Sequence, residues 1–301
     1  MKRRRLPTSL EPLAVMPPSE TTPVWLEVAR RQAGRRQPKD LLAQYESDGF
    51  VQPSALDLRI SVRLDAMVLE AARGFEAVLL SPLAPLGACS AIAPTSQDRT
   101  ISAVRSLEVV SDPTNALALE CARRLRKRPT EDVRLCTVHQ VVRAQPVPDR
   151  PGHSRHFRMF AMVEAGPGRA EDGFEVGAIV RQLSVFDRFF EAAEALGLRF
   201  PQRRAIILTT PDRDTLAERA ARALASALPH VTVEREPLTS SYYGGVRVQF
   251  GAHARTGEFC PIGDLGVFDW AAQLTANRRQ RFAASGLGIQ LAPLLFTSSP
   301  P

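Results

Sequence analysis

No stretch of this chain reaches the roughly 18 consecutive apolar residues that a membrane-spanning helix needs. The basic start, MKRRRLP, runs into Pro-rich polar sequence and not into an apolar core, which argues against a secretory signal. Cysteine is sparse. Cys89, Cys121, Cys136 and Cys260 are scattered, with neither CxxC spacing nor a dense framework. A disulfide scaffold and a cysteine metal site are both disfavoured, and reduced thiols in a cytoplasmic protein are expected. The five histidines form no HExxH signature. His153 and His156 stand three apart, but their hairpin context argues against zinc, so no metal site is expected. The glycine pairs Gly244-Gly245 and Gly286-x-Gly288 match neither a phosphate-binding P-loop nor a dinucleotide fingerprint. Lysine is scarce too, so the basic character is carried by arginine. Asp264 and Asp269 could pair as carboxylates, although surface acids are the commoner outcome.

What is present describes an ordinary globular protein. With 301 residues, 44% apolar and 24% charged, the chain can bury one large core. The net charge of +7 favours polyanionic partners such as nucleotide phosphates or RNA. The Arg-, Ala- and Pro-rich usage also fits a high-GC coding bias, which raises pI without any nucleic-acid role. Residues 1–22 are Pro-, Ser- and Thr-rich and read as a disordered leader, leaving 23–301 as one core domain.

Periodicity assigns the elements. Residues 25–35 and 38–48 read as short helices. Ser61 to Arg73 has apolar residues at helical spacing and ends at Gly74. Phe75 to Leu80 is an apolar strand, which must be covered on both faces by the chain's own helices or by a partner. Arg105 to Thr114 reads as a strand entering a turn, and Asn115 to Arg128 as a helix. Glu175 to Leu196 and Asp212 to Leu228 are helices. Strands are expected at 204–210, 231–235 and 246–250, with a further short strand before Ile262-Gly263-Asp264.

The segment from Arg134 to Gly166 says most about function. An apolar strand ends at Val142-Arg143, a Pro-rich turn follows, and a returning strand carries Arg155 and Phe157. Guanidiniums can fork onto phosphate and a ring can cover a purine, so the layout suits a nucleotide. A basic surface hairpin is the plainer alternative. The segment resembles motif 2 of the class II aminoacyl-tRNA synthetases, most of all histidyl-tRNA synthetase and its paralogue, the ATP phosphoribosyltransferase regulatory subunit.

Other segments extend the resemblance over about residues 60–297. The helix–Gly74–strand unit is similar to motif 1, which makes the dimer interface in that family. Ser111-Asp112-Pro113-Thr114 is similar to the family's Arg-Pro-Asp/Glu-x-Thr strand end, with Val110 in place of the Arg. An acid and a hydroxyl at a helix start also cap exposed N–H groups without any ligand. Tyr242-Tyr243-Gly244-Gly245 is similar to the segment that closes over the amino acid, and Phe282 to Leu295 to motif 3. The resemblance implies an α+β fold, an antiparallel sheet of about six strands flanked by helices. It implies ATP and Mg²⁺ as cofactors, a nucleotide held by Arg143, Arg155 and Phe157, and an amino-acid pocket built from Asp112, Thr114, Tyr242, Tyr243 and Gly244. A homodimer, or a partner enzyme, is the association it implies.

The departures bear on activity. Leu291 stands where motif 3 has its Arg, and Leu238 where histidyl-tRNA synthetases have the Arg that activates the carboxylate. Gln145 replaces a Glu, and Met159 and Val163 replace the histidine-gripping pair, with Glu164 adjacent. Adenylate formation needs fixed positive charge on the developing transition state, and losing two such groups costs on the order of several powers of ten in rate. The expectation is a catalytically degenerate paralogue that binds a nucleotide or amino acid, or acts as a regulatory subunit, without charging tRNA. The alternatives are an adenylate-forming ligase with Arg247 or Arg278 substituting, and an RNA-binding or RNA-processing accessory.

Overall fold

A computed structural model describes residues 10–146 and 154–296. The N-terminal part holds α1 (Leu10–Val15), α2 (Pro18–Ala33) and α3 (Pro38–Ser47). Residues 10–22, expected to be disordered, are therefore largely helical. Pro18 opens α2, where a missing N–H costs nothing. Neither α2 nor α3 buries a single residue.

Next come α4 (Leu58–Ala71), β1 (Glu76–Ala77) and β2 (Leu83–Pro85), then α5 (Ala88–Ile92), β3 (Ser102–Ala103) and β4 (Leu107–Val109). Asp57 caps α4, its Oδ1 accepting the Arg59 N–H at 2.7 Å, so this helix begins earlier than its apolar spacing suggests. Strands β2, β4 and β3 form a small antiparallel sheet. The chain continues through α6 (Pro113–Leu125), β5 (Val133–Val142), β6 (His156–Pro167), α7 (Gly173–Ala193), β7 (Arg204–Thr209), α8 (Asp214–Ala227) and β8 (Thr232–Pro237). It closes with β9 (Val246–His253), β10 (Phe259–Phe268), α9 (Trp270–Thr275), β11 (Gln280–Leu287) and α10 (Ala292–Leu295).

The large sheet runs β1-β5-β6-β11-β10-β9-β7-β8. Its six inner strands are antiparallel throughout, and the two outermost pairings, β1 with β5 and β7 with β8, are parallel. The expected antiparallel core is thus extended by a parallel strand at each edge, two residues long at β1 and six at β8. The predicted strand 75–80 narrows to two residues, because only Glu76, Ala77 and the Val78 N–H engage β5.

Alternation along these strands separates two cores. Leu265, Val267, Val248, Phe250 and Phe160 point toward α4, α7 and α8. On that side Phe190 stacks on Phe200 with centroids 4.1 Å apart, and Phe200 contacts Phe296 at 4.9 Å. The opposite face carries Ala161, Val163, Ala284, Phe282 and Phe268 toward α6 and α9. Only part of this second face is covered.

Candidate functional site

The floor of the uncovered part follows from the strand register. Ala161, Gly286, Asp264 and Gln249 lie in one row across β6, β11, β10 and β9, and Val163, Ala284, Gly266 and Arg247 in the next. Small residues in the middle of both rows leave room above the sheet. At Gly266 a Cβ would stand 2.5 Å from the Tyr243 ring, and at Gly286 one would stand 2.3 Å from the Met159 methyl. The space they leave is a cavity of about 710 Å³, a volume suited to a small metabolite or nucleotide.

Arg143, Phe157, Asp112, Thr114, Tyr242 and Tyr243 all line it. Arg143 lies just past the end of β5. Its Nε–H donates to the Ser111 carbonyl at 3.0 Å, its Nη2 lies 3.7 Å from Asp112 Oδ2, and its guanidinium sits 5.1 Å from the centre of the Phe157 ring. Asp112 is the N-cap of α6, accepting from the Thr114 N–H at 3.0 Å and the Thr114 hydroxyl at 2.7 Å. Capping thus accounts for this acid–hydroxyl pair while also presenting both groups to the cavity.

Tyr242 and Tyr243 come from the loop before β9. The Tyr243 hydroxyl donates to Asp264 Oδ2 at 2.7 Å, and Arg247 forks onto the same carboxylate at 2.9 and 2.8 Å, lying 4.9 Å from the Tyr243 ring centre. Burial and the Asp264 charge push the Tyr243 phenol well above its ordinary range, and the Asp264 hydrogen bond raises Arg247. Burial, then the Asp112 charge, raises Tyr242. Both phenols remain protonated at neutral pH, and both can donate.

Two of the expected residues lie elsewhere. The Arg155 guanidinium stacks 4.6 Å from the centre of the Phe50 ring, and its Nη1 donates to the Gln145 carbonyl. The β5–β6 ladder ends at the Val142–His156 pair, so strand alternation no longer aims Arg155 at the sheet face. Gly244 packs against β10: its N–H donates to the Val267 carbonyl, and a Cβ there would come within 2.7 Å of that oxygen. Close backbone approach explains this glycine.

The sequence reading missed Arg99, Arg158 and Gln290 on the cavity wall. Arg158 is held by Asp65, at 2.7 Å from Nε and 2.6 Å from Nη2, and Gln290 accepts the Arg158 N–H while donating to Ser54. None belongs to a local motif. Each arrives through contacts between distant segments.

Metal chemistry finds little support among the described residues. His156 engages both ring nitrogens, with Gln140 and the Gln52 carbonyl, and His153 lies outside the described residues. Asp187, Glu191 and His230 cluster elsewhere, but Arg203 stands 2.8 Å from Asp187 and already supplies the positive charge. None of the four cysteines is in a disulfide, and three of them are buried. Among the described residues, no helix is long and apolar enough to cross a membrane.

No protein-family model matches the chain, and no curated protein matches it in sequence. Solved structures do match. A Bacillus halodurans C protein described as an ATP phosphoribosyltransferase regulatory subunit/histidyl-tRNA synthetase aligns over 80% of this chain and 81% of its own, at 14% identity with a TM-score of 0.60. The apo histidyl-tRNA synthetase of S. aureus aligns over 82% and 68%, at 11% identity and TM-score 0.61. A histidine–tRNA ligase subunit from Alicyclobacillus acidocaldarius aligns over 86% and 96%, at 15% identity and TM-score 0.54. This is a class II synthetase-like fold.

Within that class II fold, the substituted positions can be placed. Leu291 lines the cavity and brings no charge to it. Leu238 is buried after β8, its N–H donating to the Thr209 carbonyl, outside the cavity lining. Gln145 and Met159 line the wall. Glu164 points the other way. One residue along β6 reverses the face, so its buried carboxylate meets Arg181 of α7 at 2.7 and 2.9 Å and is no substitute for Val163.

Proposed function

We propose that this chain is a degenerate class II synthetase paralogue that binds a nucleotide or amino acid in the cavity and does not charge tRNA. Whatever it binds, its expected role is that of a regulatory or scaffold subunit. The observation that carries the reading is the pairing at Arg143. Its guanidinium and the Phe157 ring stand together at the cavity wall, while Leu291 lines the same cavity with an apolar side chain. Binding groups are retained, and the charge that adenylate chemistry needs is missing.

The ligase alternative would recruit Arg247 or Arg278. Arg247 is in the cavity but forks onto Asp264, so its charge is largely neutralised, and Arg278 does not line the cavity. Magnesium fits poorly as a resident ion. Asp112 is engaged by Thr114 and Arg143, and Asp264 by Arg247 and Tyr243, which leaves no free cavity carboxylate among the described residues for a hard cation. A magnesium ion would enter only on the phosphates of ATP.

Self-association is part of the proposal. Val78, Leu79, Leu80, Leu83 and Leu119 line a shallow, largely apolar groove of about 510 Å³ beside β1, and Leu79 is 97% exposed. A second copy covering this groove would remove that surface from water.

Isothermal titration with ATP, with and without magnesium, tests the binding reading. Measurable binding that weakens on Arg143→Ala is the expected result, and unchanged affinity in that variant would reject the assignment. Histidine-dependent pyrophosphate exchange at a rate near that of a functioning synthetase would overturn the degenerate reading.

A further inference from the structure

The cavity wall is rich in arginine. Four arginines (Arg99, Arg143, Arg158 and Arg247) line it, against two aspartates (Asp112 and Asp264). Three of the guanidiniums are committed within the protein: Arg143 to Ser111 and Asp112, Arg158 to Asp65, and Arg247 to Asp264. Arg99 differs. Its side chain makes no hydrogen bond or ion pair with any described residue. It is nevertheless well placed, because it ends the short 3-10 turn Gln97–Arg99, whose N-cap Ser96 accepts from the Asp98 N–H. The Arg99 carbonyl accepts the Ala144 N–H at 2.8 Å, which ties its backbone to the residue after Arg143.

The Tyr242 hydroxyl is the second unused group. Its ring is fixed edge-on against Tyr243 at 5.0 Å and Phe268 at 5.6 Å, yet its oxygen bonds no described residue. Arg99, Arg143, Asp112 and Tyr242 all line this one cavity, the Ala144 N–H holds the Arg99 backbone beside Arg143, and Arg143 in turn reaches Asp112. The Asp112 charge there is offset by Arg143 and by the two Thr114 donors.

We propose that the Arg99 guanidinium and the Tyr242 hydroxyl form an anion seat that receives a phosphate group of the ligand. Resting on the reading of the cavity as a nucleotide site, the proposal adds where the charge of that nucleotide is held. A guanidinium engaged by no described residue offers a planar fork for two phosphate oxygens, and a protonated phenol adds a third donor. Positive charge comes from the loop before β3, at a position no motif marks, while Leu291 supplies none.

Isothermal titration of the wild-type chain, Arg99→Gln and Tyr242→Phe with adenosine, ATP and pyrophosphate tests this. Adenosine should bind all three proteins alike. ATP should weaken about ten-fold or more in Arg99→Gln and by a smaller factor in Tyr242→Phe, which keeps the ring packing. Pyrophosphate binding should be lost in Arg99→Gln. Wild-type affinity of Arg99→Gln for both ATP and pyrophosphate overturns the seat and leaves the nucleotide reading standing. Pyrophosphate bound through Arg99 without adenosine or ATP binding upholds the seat and rejects the nucleotide reading. Failure of ATP and pyrophosphate alike to bind the wild type rejects the seat.

Discussion

The two faces of the large sheet are built by the same strands and have opposite characters. Toward α7, Leu265 and Val267 of β10 and Val246, Val248 and Phe250 of β9 join a packed cluster of phenylalanines, with Phe190 against Phe200, Phe250 and Phe296. Toward the cavity the alternate residues are Asp264, Gly266, Gly286 and Arg247. One face excludes water with large apolar side chains, and the other stays open because small residues line its floor and paired charges its wall. A strand period of two is enough to separate a packed core from an open cavity on one sheet.

Breaking the packed face should give the largest effect. Phe190→Ala removes a ring that neighbours four others and is wholly buried, and should cost about 3–5 kcal/mol. Urea denaturation measures it. Ligand affinity of the remaining folded protein should change little, and a large loss of affinity at full folding would deny the separation of the two faces.

The next effect is on assembly. Leu79→Asp changes a side chain that is 97% exposed, so folding should be unaffected. If a second copy covers this groove, a buried unpaired carboxylate should weaken association about a hundred-fold or more. Light scattering that finds wild type already monodisperse as a monomer at micromolar concentration would refute the homodimer.

Gly286→Ala sharpens the comparison from the open side. The added methyl would displace the flexible end of Met159 and not backbone, so stability should change by less than about 1 kcal/mol. The displaced side chain should intrude on the cavity and weaken ATP about ten-fold. Equal affinity in the variant would place the ligand elsewhere.

A smaller effect comes from pH. His139 is buried on β5, and burial, with the Arg158 charge behind it, lowers its pKa. The native state therefore favours the neutral ring. This contribution is intact above the unfolded pKa of about 6.5 and is lost as pH falls through the lower folded value. Wild type should lose more stability between pH 7.5 and 5.5 than His139→Gln does, as read from urea midpoints. A steeper loss in the variant would contradict the sign.

Much of the fold was legible because its signals are local. The β5–β6 hairpin, α7 ending near Gly197 and the strands β7, β9 and β11 follow from apolar runs, helical spacing and glycine stops. The cavity corner made by Asp112, Thr114, Arg143, Phe157 and the two tyrosines was likewise approached from short segments whose order resembles one family. Strands were expected near β1 and β8, but their parallel pairing at the two edges was not legible, because pairing across a crossover leaves no periodic trace in the chain.

The residues therefore divide by the range of the force that places them. Strand and helix order, the helix cap at Asp112 and the uncharged side chain at Leu291 depend on residue type and near neighbours, and the chain alone sets them. Arg155 turning onto Phe50, Glu164 facing α7 and Arg99 entering the cavity depend on which distant segments meet. Those meetings are chosen by burial summed over the whole core, a quantity no single segment contains.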